Sequence, residues 1–322
     1  MKQIRIHEHG SADALQLDDV PEPQPAAGEV VVTIAAAGIN FIDVYQRRGY
    51  YPLPQLPSGL GLEAAGTVSA VGAGVSEFSV GQRVAYVGRV PGAYAEQQAV
   101  PASILVRLPD SIAFDTAAAV MLKGMTARYL VKQTYRLGAG DVALVHAAAG
   151  GVGLLLCAWA RHLGATVVGT VGSEAKAQLA REAGCHHVIN YREADVAAQV
   201  KELVGECSVV YDSVGAPTFE ASLAVLRRRG MLVTFGQAGG AVSAFDPVQL
   251  SRHGSLFLTR PTLFDYIAEP TERAENAADL FAAIDSGVLA VRIGQRFPLA
   301  ETAAAHRALE ARQTTGSTVL EP

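Results

Sequence analysis

The sequence predicts an α/β protein in which a doubly wound parallel sheet is inserted into a β-rich domain. Three observations carry that expectation. From near Thr126 to Thr259, short apolar strands alternate with helical patterns, the signature of βαβ units with helices on both faces of a parallel sheet. The first third is instead rich in short strands punctuated by Gly and Pro, which suits a compact barrel or sandwich. The tail after Pro261 is too short for a core of its own and is expected to fold back onto the first part. The chain has 322 residues, enough for more than one core. The division expected is residues 1–123 with 261–322 as one discontinuous domain, and 124–260 as a cofactor domain.

The elements follow in order. The N-terminus, Met1–Gly10, is polar and alternating, so it reads as a strand rather than a signal peptide. Glu29–Ala36 is a β-branched run after the Pro-rich stretch Pro21–Gly28, and Gly66–Val71 and Gln82–Val87 are each bounded by Gly. In the second region, strands are expected at Val142–Ala147, Ala165–Val171, His187–Asn190, Val209–Ser213, Met231–Phe235 and Ser255–Thr259. Helices are expected at Gly153–Leu163, Glu174–Ala183, Ala194–Val204 and Pro217–Leu226. The tail reads as a helix over Arg273–Ser286, a strand near Arg296, a helix over Thr302–Ala311 and a last strand, Ser317–Leu320. The Arg227–Arg229 run is read as a helix end, where basic residues complement the dipole.

Composition narrows the function. With 26 basic against 31 acidic residues, the net charge of −5 creates no global field toward nucleic acid or anionic lipid. The longest apolar run, Val152–Ala160, is too short to span a bilayer. Three scattered cysteines, Cys157, Cys185 and Cys207, fit neither a disulfide framework nor a thiolate zinc site. The expectation is a cytoplasmic protein with no metal, no membrane partner and no nucleic-acid partner. Ser255–Thr259 is expected at a sheet edge, apolar enough to pair with its symmetry mate in a homodimer.

The stretch Asp141-Val-Ala-Leu-Val-His-Ala-Ala-Ala-Gly-Gly-Val-Gly153 carries the chemistry. An apolar strand runs into small residues and then directly into an apolar helix. On the G-x-G-x-x-G pattern, Ala148 takes the first position, Gly150 the second and Gly153 the third. The second lets backbone approach a pyrophosphate, the third lets helix and strand pack closely, and the helix N-terminus offers free N–H groups. An NAD site carries an acid at the end of the next strand, for the ribose 2′-OH. Here Thr170-Val-Gly-Ser173 has none, and Ser173 and Lys176 suit a 2′-phosphate. Glu174 is the one nearby acid and reads as first-turn dipole compensation behind a Ser173 cap. Lys176 reads either as a phosphate partner or as a solvated helix charge. NADPH is the cofactor expected.

The chain resembles the zinc-free quinone oxidoreductases of the medium-chain dehydrogenase/reductase superfamily, end to end. The matching stretches include Ala37-Gly-Ile-Asn-Phe-Ile-Asp43, Gly59-Leu-Gly-Leu-Glu-Ala-Ala-Gly66, Leu122-Lys-Gly-Met-Thr126, His146–Gly153, Val188–Arg192, Tyr211-Asp-Ser-Val-Gly215 and Leu258-Thr-Arg-Pro261. The resemblance implies a Rossmann sheet inserted into a GroES-like catalytic domain. Zinc-dependent relatives place Cys where this chain has Asn40 and His where it has Leu62. Without those ligands no Zn²⁺ polarises an alcohol, and reduction of an already electron-poor acceptor is implied instead. The resemblance further implies that Phe41, Ile42, Asp43, Val44, Tyr45, Thr126, Tyr129, Ala149, Gly150, Gly151 and Val152 line the cofactor. Gly172, Ser173, Lys176 and Tyr191 would surround the 2′-phosphate, with Arg312 reaching in from the tail. Ser213, Val214, Phe235, Gly236, Gln237, Arg260, Pro261, Thr262 and Leu263 would hold the nicotinamide half.

Hydride transfer needs hydrogen bonds where negative charge develops on oxygen. The candidates are Asn40, Tyr45 and Tyr51. Tyr51 resembles in position the proton-donating Tyr of related enoyl-thioester reductases, and reads equally as an aromatic wall. Asp43 is read as orienting a neighbour or the ribose. His146 is read as a satisfied buried ring. Lys123 and Thr126 are expected near the domain junction. Three functions stay open: reduction of a quinone, reduction of another activated alkene such as an enal or enoyl thioester, and a cofactor-retaining binding or structural role without turnover.

Overall fold

A computed structural model describes residues 1–53 and 55–322. It divides into two compact units, one of Met1–Met125 with Ile267–Asp285 and Val291–Pro322, the other of Thr126–Tyr266 with Ser286–Ala290.

The first unit is β-rich. The strand Glu29–Ile39 is its spine and pairs antiparallel with Glu63–Val71, with Gln97–Pro101 and with the C-terminal strand Ser317–Glu321. The last pairing is how the tail returns to the first part of the chain. Inward positions of these strands, Val30, Val32, Ile39, Val68, Val100 and Leu320, join Ile6, Val84, Tyr86 and Tyr94 in one core at or near zero exposure. A short helix, Phe41–Arg47, leaves the end of the spine, and Asn40 is its N-cap.

The second unit holds a parallel sheet whose order is His187–Asn190, Thr166–Val171, Val142–Val145, Cys207–Asp212, Leu226–Thr234 and Phe257–Thr259. Strand order reverses between Val142–Val145 and Cys207–Asp212. In open parallel sheets ligands bind beyond the carboxyl ends of the strands at such a reversal. The strands are near-continuous apolar runs because helices cover both faces: Cys207–Asp212 is buried at every position. Phe257–Thr259 lies at the sheet edge, with Phe257 exposed.

One local expectation is overturned. Arg227–Arg229 does not close a helix. The helix ends at Ala224, and the arginines are exposed within the strand Leu226–Thr234. The register against Cys207–Asp212 shifts there, and Arg229 adopts φ 60°. An irregular strand lets three polar residues point outward at a place where periodicity read them as helical. Helical pattern was also missed at Phe114–Tyr129, whose mid-helix Ala-rich stretch is apolar all round, and at Val248–Arg252.

Candidate functional site

In the second unit the strand Val142–Val145 passes through His146 and the left-handed Ala147 (φ 53°) to Gly150, which caps the helix Gly151–His162. The three motif positions have distinct steric reasons. A Cβ on Gly153 would collide with the Ala147 carbonyl oxygen and lie 2.8 Å from both the carbonyl carbon and oxygen of Ala148, so helix and turn touch backbone to backbone. A Cβ on Gly150 would meet only the Ala147 oxygen, at 3.2 Å, so its other side is open to an approaching group. The first position tolerates Ala148, whose methyl is fully buried, because the facing residue in the next strand is Gly169; a Cβ there would lie 2.7 Å from that methyl. Ala149 is buried, while Gly151 and Val152 are half-buried at the start of the helix. The unpaired N–H groups of that first turn and the positive dipole end suit a pyrophosphate.

His146 is the satisfied ring expected. Its Nδ1 lies 3.0 Å from Thr170 Oγ1 and its Nε2 3.0 Å from Ser222 Oγ. Burial depresses its pKa, which keeps it neutral beneath the turn.

The second strand ends at Val171, and neither Gly172 nor Ser173 carries a carboxylate. Ser173 caps the helix Glu174–Glu182 and accepts from the Lys176 N–H at 3.4 Å. Glu174 is taken up by Arg181 at 2.6 Å in an exposed pair, consistent with a role on the helix surface. Tyr191 is partly exposed, and its hydroxyl lies over Gly172, where a Cβ would sit 2.5 Å from it. Gly172 and Tyr191 therefore share one corner, with Ser173 capping the helix that carries Lys176.

At the far side of the reversal, Asp212 ends its strand fully buried. It accepts from the Val214 and Gly215 N–H groups at 2.7 and 3.1 Å and from the Thr218 hydroxyl at 2.8 Å. This pins the loop of Ser213 and Val214. Gly239 N–H donates to the Val214 oxygen and Ala238 N–H to the Ser213 oxygen, so this loop and the one carrying Phe235, Gly236 and Gln237 are laced together. Arg260 reaches across the same loop, donating to Thr234 Oγ1, the Gly236 oxygen and Gln237 Oε1 at 3.2, 3.2 and 3.1 Å. Pro261 and Thr262 are half-buried and Leu263 is buried. Thr126 is buried too, and the buried Tyr129 ring stacks on Tyr266 at 4.2 Å between centroids. Burial raises the Tyr129 pKa, so it stays a neutral phenol.

The first unit contains a second polar cluster. Of the helix Phe41–Arg47, only Phe41 and Ile42 keep partial exposure; Asp43, Val44 and Tyr45 are buried. Asp43 accepts from the Asn40 N–H at 2.7 Å and the Tyr94 hydroxyl at 2.6 Å. Desolvation outweighs those hydrogen bonds and pushes its pKa up to about 7, with the nearby Glu63 charge adding to the rise. Asp43 thus orients the Asn40 backbone, one of the two roles read for it. The Asn40 side chain donates from Nδ2 to Glu63 Oε1 at 2.7 Å. The same oxygen receives Lys123 Nζ at 2.7 Å, and Glu63 Oε2 receives the Leu122 N–H. A Cβ on Gly38 would lie on this carboxylate, so Gly38 makes its room. Tyr45 and Tyr51 meet edge to face at 5.3 Å, and Phe41 lies 6.2 Å from Tyr45, so they form an aromatic cluster. Arg312 is exposed in a left-handed conformation (φ 58°) just past the helix Thr302–Glu310.

Glu63 is the residue that sequence reasoning left without a role. The signal was present: a lone acid in Leu60-Gly-Leu-Glu-Ala-Ala65 and a lone Lys in the apolar helix segment around Lys123. Two isolated opposite charges in apolar runs suggest a buried pair. Leu62 is buried, and among the described residues no group of three or more His, Cys, Asp or Glu could hold a metal ion. No helix among them is long and apolar enough to cross a membrane.

Comparison with known proteins bears on this arrangement. The family model described as an alcohol dehydrogenase GroES-like domain matches residues 26–110, and that of a zinc-binding dehydrogenase matches residues 151–283. A quinone oxidoreductase of Pseudomonas aeruginosa is 50% identical over 323 residues, covering 100% of this chain and 99% of the relative. A 2-haloacrylate reductase of a Burkholderia species is 44% identical, covering 98% of each. The crystal structure of Escherichia coli quinone oxidoreductase complexed with NADPH superposes with a TM-score of 0.98 at 46% identity, covering 100% of both chains. Identity at this level over the full length, on a shared fold and with neither zinc-ligand position retained, decides the family: the chain belongs to the zinc-free quinone oxidoreductases of the medium-chain dehydrogenase/reductase superfamily.

Proposed function

We propose that this protein is an NADPH-dependent quinone oxidoreductase that transfers hydride without zinc. The observation that carries the reading is the pair of features in the second unit. Gly150 leaves an open face at a helix N-terminus, and the following strand ends at Val171 without a carboxylate, with Ser173 and Lys176 at the start of the next helix. The first feature fits a pyrophosphate and the second fits a 2′-phosphate.

NADPH, when bound, supplies the hydride. The chain's own residues do the rest. Gly150 leaves room for the diphosphate, and the N–H groups of Gly151 and Val152 hold it. Ser173, Lys176 and Tyr191 hold the 2′-phosphate. The laced loops of Ser213, Val214, Phe235, Gly236 and Gln237, braced by Arg260, hold the nicotinamide half, with Pro261, Thr262 and Leu263 completing that wall. Asn40 offers an amide N–H to the acceptor oxygen, and Phe41, Tyr45 and Tyr51 give the flat acceptor an aromatic, water-excluding surface. Asp43 keeps Asn40 in place. We further propose a cytoplasmic homodimer joined through the edge strand Phe257–Thr259.

A second reading is reduction of another activated alkene, favoured by the 44% identical 2-haloacrylate reductase. Initial rates of NADPH oxidation separate the readings. Turnover with benzoquinones and naphthoquinones supports the first. Turnover confined to haloacrylates, enals or enoyl thioesters supports the second. Tight NADPH binding without turnover of any acceptor leaves a binding role.

A further inference from the structure

Lys123 is a buried ammonium with more donors than the protein uses. Its side chain is 7% exposed and its Nζ pairs with Glu63 Oε1 at 2.7 Å. An ammonium carries three N–H donors. Among the described residues, Glu63 is the one protein group that accepts from it. A desolvated cation with unspent donors is costly, unless a ligand uses them.

Its surroundings add direction. Glu63 is fully buried and accepts from three groups at once: Asn40 Nδ2, Lys123 Nζ and the Leu122 N–H in mid-helix. Only a carboxylate can do this, since an amide would turn an N–H against one of the donors. Asn40 and Lys123 therefore meet across a single oxygen, held as neighbours. Each keeps at least one N–H beyond the one that Glu63 takes. The pair Glu63–Lys123 is nearly neutral at a distance, so it presents a local cation without a buried net charge.

We infer that Lys123, beside Asn40, binds the acceptor's carbonyl oxygen and stabilises the negative charge that hydride transfer places there, with Glu63 as the residue that positions both. The inference rests on the quinone-reductase reading. A C–H bond breaks at the nicotinamide and its hydrogen passes with the electron pair to the quinone. The quinone gains two electrons and the nicotinamide loses two. The electron pair displaced from the carbonyl settles on the oxygen facing Lys123, and solvent supplies the proton that neutralises it as the product leaves. Lys123 stays protonated throughout. An ammonium in a dry site substitutes for the Lewis acid that the zinc-dependent relatives carry.

The test uses the NADP⁺-loaded protein with para-nitrophenol, whose phenolate imitates the charged oxygen and reports itself by colour. The wild type is expected to favour the phenolate over the phenol. Lys123→Met should lose about tenfold or more of that preference, and Lys123→Arg should keep most of it. In turnover with para-benzoquinone, Lys123→Met should lower kcat by about 10²-fold, with the Kd for NADPH changed by less than about twofold. Should that variant fail to fold around an unpaired Glu63, Glu63→Gln with Lys123→Met removes both charges and is expected to show the same losses. A Met variant that keeps both the phenolate preference and kcat overturns the inference. So does one whose main defect is in NADPH affinity, which would assign Lys123 to the cofactor. A wild type that oxidises no NADPH with any quinone instead sinks the quinone-reductase reading, and the phenolate titration still decides whether Lys123 holds an anionic oxygen.

Discussion

Gly153→Ala isolates what the close helix–strand approach does for the cofactor. The added methyl would lie 2.8 Å from the Ala148 carbonyl carbon and oxygen and nearer still to the Ala147 oxygen. That is ~0.6 Å short of ordinary carbon–oxygen contact. All of the obstructing atoms are backbone, so no side chain can rotate away. The helix Gly151–His162 must retreat, and with it the N–H groups of its first turn. Overpacking of this kind costs about 1–3 kcal/mol of stability. Each charge-assisted hydrogen bond to phosphate contributes roughly 1.5–3 kcal/mol, so losing the strength of one or two raises Kd by about 10²-fold. Both NADPH and NADH should weaken together, because the diphosphate is common to them. Fluorescence titration of each nucleotide, with far-UV dichroism to confirm folding, reads the effect. A folded Gly153→Ala protein that binds both nucleotides as the wild type does would refute the reasoning.

Three other outcomes are expected. Gly172→Ala would place a methyl 2.5 Å from the Tyr191 hydroxyl, and with Lys176→Ala it should raise the Kd for NADPH about tenfold more than for NADH; equal effects on both nucleotides would make this corner mere surface. Acid stability turns on buried groups of opposite sign, His146 and His306 against Asp43. Burial, with the nearby Arg47 charge, lowers His306 to about 3, so its contribution is complete above its ordinary pKa and is lost as pH falls toward 3, about 2 kcal/mol by pH 5. Asp43, raised to about 7, gains stability over the same fall in pH and masks that loss. Asp43→Asn should therefore make the fall in urea stability from pH 7 to pH 5 steeper than in the wild type by about 2 kcal/mol, and an unchanged slope would contradict the Asp43 shift. Finally, Phe257→Lys on the exposed edge strand should leave a monomer by sedimentation at micromolar concentration, and an unchanged species would place any subunit contact elsewhere.

Much of the nucleotide half was legible because its chemistry is local. Strand, small residues and helix follow one another within Asp141–Gly153, and the missing acid after Thr170 is read from contiguous residues. What stayed hidden depends on distant partners. Ala148 at the first motif position makes sense only against Gly169. Glu63 gains meaning only when folding brings it Asn40 from one side and Lys123 from another. Arg227–Arg229 misled because a strand irregularity and a left-handed residue carry no periodic signal. The burial of Asp43 and Val44, both expected to line the cofactor, likewise follows from how one short helix is seated.

The function proposed for this chain is metal-independent hydride transfer from NADPH to a quinone. Initial rates of para-benzoquinone reduction by chelator-treated, metal-assayed protein test it most directly, with NADPH and NADH compared side by side. Full turnover is expected after chelation, with a kcat/KM for NADPH about tenfold or more above that for NADH. Activity that vanishes with chelation and returns with zinc, or that prefers NADH, would contradict it.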